Sequence, residues 1–210
     1  MELVERVQSI ITDLGEQLQP VLADLTRRAG AILASPKTTW PAIAAARADL
    51  AGLVAHYVLP LAAIPPLAKL FGWSFLSSYV GIGAGLAGAL LSYLLGLAGL
   101  AGLAVIASKL APRFEGEENL HQAAKLVAYS ATATWVGGVF RLVPVLGILS
   151  LLASLYGGYL LYTGAPSVMG MPEDRAPAYT AILIVAAILI FVLTNLILAA
   201  AVGFTALGMV

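Results

Sequence analysis

From Tyr79 to Ser108 the chain runs for 30 residues without one Asp, Glu, Lys or Arg. No other feature constrains the fold as strongly. A membrane span needs about 20 predominantly apolar residues, and this stretch exceeds that. The rest of the chain agrees: 60% of residues are hydrophobic, only 10% are charged, and mean hydropathy is +0.95. Soluble domains carry about 25% charged residues. So little charge cannot cover a water-facing surface, and a soluble fold would expose large apolar patches. An integral membrane protein is the direct reading.

Four more runs qualify as spans, at residues 51–71, 126–143, 145–163 and 179–208. The first holds Pro60, Pro65 and Pro66, which makes it continuous, broken or re-entrant. The expected fold is all-α: a polytopic membrane domain of about five spans over residues 51–210. An amphipathic helical region over residues 1–50 precedes it. With the N-terminus in the cytoplasm, nine Lys and Arg residues fall on the inner side. Only Lys69 and Arg141 fall outside. That asymmetry predicts a multi-pass protein of the cytoplasmic (inner) membrane, N-terminus inside and C-terminus outside.

The first 30 residues interleave charge with apolar side chains, unlike a secretory signal, and are expected to be retained. Val4, Val7, Ile11, Leu14, Leu18, Val21 and Leu25 form one helical stripe, and Pro20 is expected to kink or divide that helix. The stripe can lie on the bilayer, a partner helix or the protein's own body. Ser35-Pro36 suits a helix start, and Trp40 suits the headgroup belt. Glu173, Asp174 and Arg175, between Pro172 and Pro177, mark a short cytoplasmic loop and not a catalytic pair, since a loop this short shelters little.

Small residues collect where helices meet in lipid. Ala84, Gly88, Ser92 and Gly96 form a four-residue stripe, Gly81 and Gly85 add a G-x-x-x-G, and Ser150, Ser154 and Gly158 repeat the device. They serve bundling within the chain or a homo-oligomer. Among polar residues in the spans, Asn195 should face another helix, because an unpartnered amide in hydrocarbon is costly. Tyr129 and Thr132 join it, with Pro60 and Pro65, as a candidate polar intramembrane site. His56, Lys125 and Arg141 read as anchors near span ends.

Catalytic chemistry finds no foothold. The chain has no cysteine and two histidines. Glu117, Glu118 and His121 could share a helical face, but bundle metal sites need paired Glu-x-x-His motifs and further glutamates. No metalloprotease, nucleophile-elbow or phosphate-loop motif occurs. No enzyme activity, metal or cofactor is expected, and the zero net charge gives no reason to expect nucleic-acid binding.

The second half resembles a known family. Ala128-Tyr129, Pro144-Val145-Leu146-Gly147, Tyr156 with Tyr159-Leu160-Leu161, Gly164, Pro166, Met169, Pro172 and Tyr179 follow in an order similar to bacterial members of the Ypt-interacting-protein (Yip) domain family. Ser35-Pro36 and Trp40 resemble the segment before the first span of those proteins, so the likeness covers roughly residues 32 to 200. Ala133 stands where bacterial relatives often have proline. The resemblance implies five spans and a cytoplasmic N-terminal region. Eukaryotic relatives act in vesicle trafficking and bind prenylated GTPases and one another, a partner absent for a bacterial chain. Two functions follow as expectations. The first is a non-enzymatic scaffold or adaptor whose partners are the lipid bilayer, a second copy or other membrane proteins. The alternative is a small-solute or ion transporter.

Overall fold

The computed structural model describes residues 2–47, 49–76 and 82–206. Among these residues all regular structure is helical, joined by short turns. Helix α1 (Glu2–Ala34) is followed by α2 (Pro36–Ala45). The first span is assembled from α3 (Leu50–Leu53), a π turn (Val54–Val58), α4 (Leu59–Ala62) and α5 (Ile64–Leu76). Then come α6 (Ile82–Leu110), α7 (Leu120–Gly137), α8 (Gly147–Met169) and α9 (Ala176–Ala206).

Local chemistry explains the boundaries. Asp49 caps α3 by accepting the Gly52 N–H at 2.8 Å, and Asn119 caps α7 by accepting from His121 and Gln122. Helix α8 stops at Gly170, whose φ of +66° is left-handed and suits glycine. Pro20 lies inside α1 without dividing it.

The proline-rich first span is one apolar traverse, Leu50–Gly72. Pro65 occupies the second position of α5, just after the turn at Ala63, where the missing N–H has no intrahelical partner to lose. Pro60, by contrast, follows the π turn in unbroken helical backbone. Just upstream the Leu59 N–H reaches back to the Val54 carbonyl, a π register that rearranges the ladder before Pro60.

Among the described residues four helices are long and apolar enough to cross a membrane: Leu50–Gly72, Gly85–Phe114, Gly147–Met169 and Ala176–Ala201. The expected third span, 126–143, is the exception. Helix α7 begins six residues earlier and ends at Gly137, giving way to 3-10 turns, and it falls outside those four. It still joins the two ends of the bundle. The Glu117 N–H before its start donates to the Met169 carbonyl at 2.9 Å, on the face shared with the N-terminal helices. The Arg141 carbonyl beyond its end approaches Gly72, on the opposite face. A count of five is therefore close, with the fifth helix enclosed by the others.

Apolarity falls as enclosure rises. Windows in α9 and α6 have mean hydropathies of 3.0 and 2.2 and are 6% buried; that in α8 has 1.3 and is 33% buried. In lipid, the outer faces must be the most apolar, while the interior can carry polar groups that satisfy one another. Helix α7 holds Lys125, Ser130 and Thr132, all buried. The core unites residues from both ends of the chain: Ile32, Trp40 and Ile43 pack with Tyr57, Leu126, Leu160 and Tyr179.

Candidate functional site

The site grows from the seating of α2 on α7 and α8. The last carbonyls of a helix lack intrahelical donors, and α7 supplies them. Lys125 Nζ donates to the Ile43 and Ala46 carbonyls at 3.2 and 2.6 Å, and Gln122 Nε2 donates to the Ala44 carbonyl at 3.0 Å. Trp40 is fully buried and donates from Nε1 to the Thr163 hydroxyl at 3.2 Å. From α8, the Tyr156 hydroxyl donates to the Leu33 carbonyl at 2.7 Å, tying down the end of α1.

Beneath α2 lies an aromatic cluster. The Trp40 and Tyr129 rings meet edge to face at 6.4 Å, and Tyr57 lies 4.5 Å from Tyr129. The Tyr57 and Thr132 hydroxyls share a hydrogen bond of 2.7 Å. The π turn carries Tyr57 into this contact. Arg28 of α1 interacts with Tyr129 and holds Asp24 through Nε at 2.6 Å. Asp24 also accepts from Arg27 at 2.5 Å; that bond holds its carboxyl below the ordinary value of 3.8, with partial burial opposing it and the Arg28 charge assisting.

Above the cluster, between α1, α2 and the opening of the first span, is a cleft of about 690 Å³. Asp24, Arg28, Arg47, Asp49, His56, Lys125 and Tyr129 line it beside apolar walls from Ile43, Leu50 and Leu53. Charged groups, an aromatic ring and hydrogen-bond donors thus converge at one end of the bundle, at the level where the first span begins.

Of the polar residues expected to form an intramembrane site, Tyr129 and Thr132 come together here. Asn195 does not join them. It is exposed on α9 and donates to the Phe191 carbonyl of its own helix at 2.8 Å. Pro60 is exposed, and Pro65 packs against Gly138. Glu118 pairs with Lys109, and Arg175 bridges Glu115 at 2.9 Å, so the 173–175 turn is tied to the 111–119 turn.

The small-residue stripes divide. Gly81 lies outside the described residues, as does the side chain of Ala84. Gly85 has Leu70 nearby, whereas added Cβ atoms at Gly88 and Gly96 would meet nothing within 4 Å, and Ser92 bonds its own helix. On α8, Ser150 donates to the Gly137 carbonyl at 2.9 Å, Ser154 bonds its own turn, and Gly158 faces Ile184. Among the glycines of α8 the tightest approaches are at Gly157, under the Ser130 carbonyl, and Gly164, under Trp40 and Leu126. Sequence reasoning passed over both, and over Arg28, Trp40 and Tyr57 as partners of Tyr129. A signal existed: Ser150, Gly157 and Gly164 recur every seven residues, the repeat that keeps one side of a helix against a neighbour.

Comparison with known proteins completes the picture. The family model described as the Yip1 domain matches residues 30–194. The inner membrane protein YohC of Escherichia coli, in strain K12 and in an O6:H1 strain, is 27% identical over 136 residues, covering 60% of this chain and 70% of the relative. No solved structure gives a significant match.

Proposed function

Because this chain belongs to the Yip1 domain family, we propose that it is a non-enzymatic scaffold or adaptor of a bacterial cytoplasmic membrane. Its N-terminal helices face the cytoplasm and meet partner proteins or a second copy. The carrying observation is the way α1 and α2 are held. Tyr156, Lys125, Gln122 and Trp40 fasten the end of α1 and all of α2 to the bundle. Further out, every position whose exposure is described between Glu5 and Pro20 is open. Three tyrosine hydroxyls join helices within the membrane, Tyr57 to Thr132, Tyr93 to the Leu59 carbonyl and Tyr179 to the Ala107 carbonyl. That pattern supports a structural interior.

Removing residues 2–19 keeps the packed end of α1. The truncated chain should insert normally and lose the partners recovered by crosslinking in membranes. An unchanged partner set would contradict the proposal.

A second reading, a small-solute or ion pathway, is favoured by the π turn opening the first span beside the cleft. Flux into reconstituted vesicles that falls in Tyr129→Phe would support it, and no flux across a broad panel would retire it.

A further inference from the structure

We propose that the cleft between α1, α2 and the start of the first span binds the anionic phosphodiester headgroup of a membrane lipid. The proposal does not depend on the scaffold reading.

Charge is the first argument. Arg28, Arg47 and Lys125 line the cleft with only Asp24 and Asp49 opposite. Both carboxylates are already engaged, Asp24 by Arg27 and Arg28 and Asp49 by the Gly52 N–H. Among the described residues no carboxylate pairs with Arg47 or Lys125. Lys125 is only 6% exposed, and its two hydrogen bonds go to neutral carbonyls. The end of α2 offers it about half a negative charge. A buried ammonium that lacks a full counter-charge favours an anion at its side. Basic pockets between membrane helices bind anionic headgroups for this reason.

Position decides the source of the anion. The cleft opens where Leu50 begins the first span, which is headgroup depth. Its other wall is apolar, and Val54, just inside the span, is exposed and suited to an acyl chain. A free anion has no use for that wall. The α1 side of the cleft, Asp24 and Arg28, lies before residue 30, ahead of the family match, whereas Arg47 and Lys125 lie within it.

The full-length chain in detergent, studied by native mass spectrometry with phosphatidylglycerol and phosphatidylcholine of equal acyl length, tests this. Phosphatidylglycerol should be retained preferentially. Arg47 is exposed, so Arg47→Ala should keep the parent melting temperature and lower that preference about fivefold, the effect expected for one basic residue at a membrane surface. Arg141→Ala, on the opposite face, should leave it unchanged. Equal retention of the two lipids would overturn the proposal. So would a preference that Arg47→Ala leaves intact, one lost equally in Arg141→Ala, or displacement of the lipid by millimolar inorganic phosphate.

Discussion

Gly164 sits under the indole of Trp40. A Cβ there would lie 2.5 Å from Trp40 Cε2 and 2.8 Å from Leu126 Cδ1, and both neighbours are fully buried. Neither can move aside without disturbing the core, so Gly164→Ala should cost about 1–3 kcal/mol, the usual penalty for overpacking. Gly88 and Gly96 of α6 offer the contrast, with open space at both positions. Alanine there gains helix propensity of up to about 1 kcal/mol and meets nothing. Thermal melts in detergent should therefore drop for Gly164→Ala and hold or rise for Gly88→Ala and Gly96→Ala. Losses of equal size at all three would mean that the α6 glycines pack against something beyond this chain. The abundance of small residues was legible in the sequence. Which of them touch was signalled on α8 alone, by the seven-residue series Ser150, Gly157 and Gly164. Elsewhere it was not, because contact follows the crossing of helix pairs.

At the level of elements, α7 and α1 carry the lesson. Apolarity placed the third span at 126–143, yet α7 runs Leu120–Gly137. Gln122 and Lys125 look like residues outside a span when judged by polarity. They are helical, because α2 and not lipid receives them. Helix α1 shows the reverse: its helical course was legible, but its attachment depends on residues far along the chain, such as Tyr156. The side chains of Val4, Val7, Ile11, Leu14 and Leu18 in its stripe lie outside the described residues. Its last turns also carry the Asp24 ion pairs with Arg27 and Arg28. The Asp24 carboxyl titrates below its unfolded value near 3.8, so its contribution is complete above that value and fades as pH falls through the lower folded one. Protection of residues 20–35 from limited proteolysis should be constant from about pH 8 to about 5 and decline below about 4. Being partly exposed, the pair should give a modest effect. A loss of protection near neutral pH would assign the docking of α1 to other groups.

For the molecule as a whole, the two ends of the bundle are chemically unlike. The end shared by α1, α2 and the 111–119 and 170–175 turns is rich in charge, whereas Lys69 and Arg141 lie toward the other. The chain has no cysteine, so single cysteines can report on each end without background. Lys37→Cys and Asp174→Cys should react with a membrane-impermeant maleimide only when the cytoplasmic face is opened, and Arg141→Cys should react in intact cells. Opposite labelling of Lys37→Cys and Asp174→Cys would break the even number of crossings between them.

The sequence alone determined that the chain is helical and lives in a membrane, because apolarity over 20 or more residues is a local property that reports the solvent directly. Capping residues such as Asn119 are local in the same way. Only the tertiary structure decided which helix lies inside, which neighbours α8 approaches, and that Arg28, Arg47, Lys125 and Tyr129 converge on one cleft. Those outcomes rest on pairs such as Trp40 with Thr163 and Tyr57 with Thr132, 123 and 75 residues apart. No pattern along the chain encodes such a pairing, since it depends on how complete helices fit together.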